Sequence, residues 1–363
     1  MPSFSPLLNP PAFPASGYAP LADRLRRLLS TAGDVIFVQA EAILALEAAA
    51  ASLARPGMTA VNIVTSPYGG YFGSWLRRGG ATVHEIVAEA GRPITVTMVK
   101  AALDDLPTVD LVAIVHAETS SGILNPLPEV AALAEARGAL LVVDGVASVG
   151  GHALDVDALG IDVAVIGPQK ALGGPAALSI AAISPRAWAE MAKAPKFSPS
   201  ILSLTDIKEV WLDRGRGALP GMPSALDFWA LEAALDRVEA EGLAALIAQH
   251  ELAGRASRAG LLALGVEPWI IAEAEASTLV TAAPVPAGID PDGLITATAR
   301  YGVTLSPGFG AVRDRLVRLD HTGIRANFGT VITNLAAYGS ALRDLGVTVN
   351  IGAAVDAAAA AFS

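Results

Sequence analysis

Two short apolar runs constrain the fold of this chain most: Ala139-Leu-Leu-Val-Val143 and Asp162-Val-Ala-Val-Ile166. Runs of this length without polar alternation suit strands buried on both faces, and such strands need helices above and below a parallel sheet. The first run ends on Asp144. The second enters Gly167-Pro-Gln-Lys170, with glycines on both sides of the lysine. An acid and a lysine are thereby delivered to one sheet edge. That pair suits a pyridine aldehyde, the acid under the ring nitrogen and the lysine forming an imine with the aldehyde. A strand-end Asp and Lys also commonly serve only structure or solvation, so the rest of the chain has to decide.

The strand–helix alternation continues through the chain. Strands are expected at 34–38, 60–64, 81–86, 110–116 and 177–183, with helices from Glu41, over 94–106 and over 185–192. Residues 1–20 are rich in proline and read as an arm without regular helix, followed by a charged helix from Leu21 to Leu29. A large domain over 21–240 and a smaller α+β domain over 241–363 follow, the smaller with strand material at 266–281 and 303–306 and helices at 326–345 and 351–363. Arg214 and Arg216 read as a solvated loop, since their glycines do not follow a strand-to-helix turn. Hydrophobic residues make up 53% and charged residues 17%, which calls for extensive burial, a subunit interface included. A net charge of -10 without a basic block argues against nucleic acid and anionic membranes as partners. With no cysteine there is no disulfide, thiolate nucleophile or cysteine metal site, which fits a cytoplasmic protein. The N-terminal residues lack a signal-peptide pattern, and charges interrupt every apolar stretch long enough to span a bilayer. His116 has no spaced histidine partner and reads as strand-end packing, so no metal is expected.

Asp144-Gly-Val-Ala-Ser148, Gly160-Ile-Asp162 and Gly167-Pro-Gln-Lys170 resemble the cofactor-lysine region of class V aminotransferases, fold-type-I enzymes that use pyridoxal phosphate. The resemblance covers nearly the whole chain and is nearest to the alanine–glyoxylate and pyridoxamine–pyruvate branches. It implies a mostly parallel seven-stranded sheet in the large domain and a homodimer, or a tetramer of such dimers, with active sites between subunits. Lys170 and Asp144 would be catalytic. Tyr68, within Thr65-Ser-Pro-Tyr68, would stack on the ring and Thr119 would bond its hydroxyl, while Ala40, Val146 and Gln169 would line the cofactor. Arg318 matches the arginine of an Arg-Ile-Gly-x-x-Gly pattern and would clamp a carboxylate.

Three positions depart from the alanine–glyoxylate pattern or from the substrate arginines. Glu41 falls on the serine that holds the cofactor phosphate, where the pyridoxamine–pyruvate branch also has Glu. A carboxylate there repels phosphate and welcomes a hydroxyl donor, although an acid at a helix start can also act simply as a cap. Met222 replaces the Thr of a Thr-Pro-Ser segment that reaches the neighbouring site, and Phe309 replaces a second substrate arginine. The expected function is transfer of an amino group to a small 2-oxo acid such as pyruvate or glyoxylate. The cofactor is pyridoxal phosphate, or else unphosphorylated pyridoxal and pyridoxamine are bound as substrates. An ordinary amino acid aminotransferase, a lyase using the same cofactor and a non-catalytic vitamer-binding protein are the alternatives.

Overall fold

The computed structural model describes residues 9–195 and 198–363. The start of the expected arm, residues 1–8, therefore lies outside the described residues. Strands β1 (Asp34–Val38), β2 (Thr59–Val64), β3 (Thr82–Val87), β4 (Leu111–Val115), β7 (Leu140–Asp144), β8 (Val163–Ile166) and β9 (Ser179–Ile183) form one seven-stranded sheet. The short strands β5 (Ala117–Glu118) and β6 (Ile123–Leu124) form a hairpin beside it. The sheet order is β1-β9-β8-β7-β4-β2-β3. The pairs β2/β3, β2/β4, β4/β7 and β7/β8 are parallel, whereas β9 runs against both β8 and β1. β1 consequently runs with the parallel strands, and the chain leaving it emerges at the same carboxyl edge as Asp144 and Lys170. Every residue of β4, β8 and β9 is buried, which explains their unbroken apolar sequence.

Helices α2 (Ala42–Leu53), α3 (Pro67–Arg78), α4 (Val96–Asp104), α5 (Leu127–Ala136) and α6 (Pro185–Met191) cover the sheet. α1 (Tyr18–Leu28) starts before the expected Leu21, because Pro20 lies in its first turn, where the missing N–H is not needed. The segment that carries Tyr68 is helical from Pro67; Ser66 caps α3 by accepting the Tyr68 N–H at 3.2 Å. A Cβ at Gly69 would lie 2.9 Å from the Ile63 carbonyl oxygen, so the glycine lets α3 rest on β2.

The segment expected to be a solvated loop around Arg214 and Arg216 is also more structured. α7 (Leu204–Ile207) and the wide turn Lys208–Leu212 bury Trp211 completely. Arg216, at φ 61°, lies 5.6 Å over that ring and pairs with Asp23 at 3.0 Å. α8 (Ala225–Glu241) and α9 (Leu243–Leu264) lead into the smaller C-terminal domain, whose antiparallel sheet has the order β10-β12-β11. These strands are β10 (Val280–Pro284), β11 (Ser306–Pro307) and β12 (Leu316–Asp320), so most of 266–281 and 303–305 is irregular rather than strand. Single bonds hold it, as from the Trp269 N–H to Ala282 and the Ser277 N–H to Gly122. Helices α10 (Pro291–Ala299), α11 (Phe328–Asp344) and α12 (Ile351–Phe362) complete this domain and its separate core around Leu261, Leu335 and Tyr338. Among the described residues no helix is long and apolar enough to cross a membrane.

Candidate active site

The carboxyl edge of the large sheet and the turn after β12 enclose a cavity of about 260 Å³. Glu41, Tyr68, Thr119, Asp144, Val146, Gln169, Lys170 and Arg318 all line it. Ala40 does not: its carbonyl faces back to the Ser179 hydroxyl, 2.9 Å away, and the lining starts at Glu41.

Asp144 ends β7 in register with Val165 of β8, so Lys170 follows on the adjacent strand after a short turn. The Val146 N–H donates to Asp144 Oδ1 at 3.0 Å and fixes the carboxylate. Burial pushes its pKa up to about 7 against that bond, with Glu118 and Glu41 adding repulsion. Such a carboxyl is poised to ionise when a cationic N–H is placed on it. Lys170 Nζ donates to Thr119 Oγ1 at 3.1 Å, and burial followed by repulsion from Arg318 lowers its pKa, favouring the neutral nucleophilic amine. Thr119 also ties the arginine in, since its carbonyl accepts from Arg318 Nη1 at 2.7 Å while Pro307 accepts from Nε at 2.8 Å. Gly323 completes this corner at φ +62°, where a Cβ would lie 3.1 Å from the Lys170 carbonyl oxygen.

Glu41 is a helix cap, as weighed for it, and it also lines the cavity. It caps α2 by accepting the Ile43 N–H at 2.9 Å, and its other oxygen accepts from Gln169 Nε2 at 3.1 Å. Gln169 Oε1 is buried and unpartnered. Turning the amide over would set that oxygen against the Glu41 carboxylate, so the oxygen stays on the far side, packed beside Gly167.

Tyr68 is 39% exposed and packs on Phe309 with ring centroids 5.5 Å apart. Phe309 and Met222 do not line the cavity, and Met222 is 97% exposed. His116 is buried beside His152, their rings 5.7 Å apart, and burial lowers its pKa to about 4, consistent with neutral packing. Among the described residues no three His, Asp or Glu side chains are grouped to hold a metal ion.

Glu118, Asp320 and Arg325 are polar cavity residues to which the sequence reading gave no role. Glu118 is buried, accepts from Thr65 Oγ1 at 3.0 Å and Ser120 Oγ at 3.1 Å, and has its pKa raised by burial. Asp320 and Arg325 form an ion pair at 3.0 Å in the turn after β12. The signal was available: both flank Gly323 in the very segment that identified Arg318.

The family model for class V aminotransferases matches residues 21–334. The chain belongs to that family. It is 35% identical over 346 residues to the pyridoxamine–pyruvate transaminase of Mesorhizobium japonicum, covering 94% of this chain and 87% of that protein. It is 30% identical over 354 residues to the serine–glyoxylate aminotransferase of Arabidopsis thaliana, covering 96% and 87% respectively. The crystal structure of pyridoxamine–pyruvate aminotransferase from Mesorhizobium loti superposes with a TM-score of 0.91 at 34% identity, covering 96% of this chain and 89% of that one. This class V aminotransferase is therefore a transaminase, and membership implies a pyridoxal phosphate cofactor. The half-buried Asp144, the lysine and the Tyr68 ring fit the pyridine aldehyde, and the Glu41 carboxylate also lines the cavity.

Proposed function

We propose that this aminotransferase moves the amino group of an unphosphorylated pyridoxamine-type amine to a small 2-oxo acid such as pyruvate or glyoxylate. The observation that carries the reading is the Glu41 carboxylate, which stands at the start of α2 and lines the cavity. A 5′-hydroxyl can donate to it. A phosphate brings no donor at neutral pH and adds charge beside a carboxylate. The names of the two pyridoxamine–pyruvate relatives support the same choice.

When bound, the pyridine aldehyde supplies the electron sink. The chain's own groups do the rest. Asp144 would hold the ring nitrogen's proton, and Tyr68 and Val146, which line the cavity, would pack against the ring. Lys170, its pKa lowered by burial, would hold and return the proton of the carbon that carries the amino group, and the Thr119 hydroxyl orients its Nζ. Arg318, braced by two carbonyls, presents its remaining donors to a substrate carboxylate.

A homodimer in the cytoplasm completes the proposal, supported by the high apolar fraction of 53% for the dimer and by the lack of cysteine for the compartment. The test is binding of pyridoxal and pyridoxal phosphate to wild type and Glu41→Ser, followed by absorption. Wild type should prefer pyridoxal and the variant should shift toward the phosphate form; equal preference in both proteins contradicts the reading.

A further inference from the structure

The cavity contains a cation that the proposed reaction does not use. Arg325 lines it together with Arg318, but the two guanidiniums are held differently. Arg318 is braced against two backbone carbonyls at 2.8 and 2.7 Å. Arg325 has a 61% exposed side chain at the end of a single short turn, Gly323–Arg325, and pairs with Asp320 at 3.0 Å. Exposed ion pairs are weak and exchangeable. Asp320 is the fixed partner: its Oδ1 accepts the Thr322 N–H at 2.9 Å, and its carbonyl accepts from Asn334 Nδ2 at 2.9 Å. An anchored carboxylate thus stands two residues from the arginine that receives the substrate and keeps the second arginine occupied.

We propose that Asp320 is a specificity-determining residue that restricts the cavity to substrates with one carboxylate. It pairs with Arg325 and sets a like charge against any second carboxylate, so a dicarboxylic 2-oxo or amino acid must displace it to reach that cation. Glu41, Glu118 and Asp144, which also line the cavity, offer such a group no alternative partner. The inference rests on the reading of the acceptor as a small 2-oxo acid and names the class it excludes.

Asp320→Asn retains an acceptor for the Thr322 N–H and frees Arg325. Propionate and succinate, unreactive one- and two-carboxylate probes, are titrated calorimetrically into wild type, Asp320→Asn, Asp320→Ser and the double variant Asp320→Asn/Arg325→Gln. Amino transfer to pyruvate is measured on the same wild-type preparation. The affinity ratio of succinate to propionate should rise on the order of tenfold in both single variants and return to the wild-type value in the double variant. An unchanged ratio in the single variants, or a gain that survives loss of Arg325, overturns the inference. Failure of wild type to use pyruvate, with the ratio still rising, removes the acceptor assignment and leaves the charge-exclusion role standing.

Discussion

Replacing Asp144 by Asn should stabilise the protein freed of its vitamer, and increasingly so as pH rises. Burial raises the carboxyl from 3.8 to about 7 in the folded chain. Between about pH 4 and pH 7 the folded protein therefore keeps a proton that the unfolded chain has lost, and stability falls as pH increases through that window. A displacement of about three pH units corresponds to about 4 kcal/mol at 1.36 kcal/mol per unit. The window from pH 5 to pH 8 spans about two-thirds of it. One edge of the carboxylate opens on the cavity, where water offsets part of the burial, so about 2 kcal/mol is expected over that range. Asn cannot ionise, while its side-chain oxygen can still accept the Val146 N–H. Urea unfolding of both proteins at pH 5, 6.5 and 8 should show the variant gaining about 2 kcal/mol on wild type. Added pyridoxal should reverse the order, because only the wild type meets the ring nitrogen with a charge. Parallel pH profiles for the two proteins would refute the reasoning.

Two further substitutions probe the scaffold. Gly69→Ala would force a Cβ to within 2.9 Å of the Ile63 carbonyl oxygen, lifting α3 and Tyr68 from β2; a loss of about 1–3 kcal/mol is expected in thermal unfolding, with weakened pyridoxal binding. Asp162→Ala would leave the buried Leu141 N–H, the Ser184 hydroxyl and Arg186 without their shared acceptor, for an expected loss of about 3 kcal/mol measured by denaturant unfolding.

The central sheet was legible because β4, β7 and β8 are nearly or wholly buried and so carry unbroken apolar runs that few other structures can use. Asp144 and Lys170 were legible for the same reason, as polar residues placed just where such runs stop. Trp211 was not: its helical turn lies in a Pro- and Gly-rich stretch, and it packs on Phe37 from a distant strand as well as under the nearby Arg216. The strand expected over 266–281 failed because its apolar residues pack one at a time, as Trp269 does against Gly91 through an N–H bond of 2.8 Å. In the site, the pattern around Arg318 located one arginine and one glycine but not the Asp320–Arg325 pair, whose meaning depends on a turn that brings both into the cavity. Asp162 was recognisable only as a landmark, and the structure shows it stitching the starts of β7 and β8 to α6.

The most direct test of the account is alanine formation from pyridoxamine and pyruvate by purified wild type and Lys170→Ala, each supplied with unphosphorylated vitamer alone. Wild type should convert pyridoxamine to pyridoxal with one alanine formed per turnover, and the lysine variant should lose turnover by several orders of magnitude while still binding the vitamer. Undiminished alanine formation in Lys170→Ala, or none in wild type at any pyruvate concentration, would contradict it.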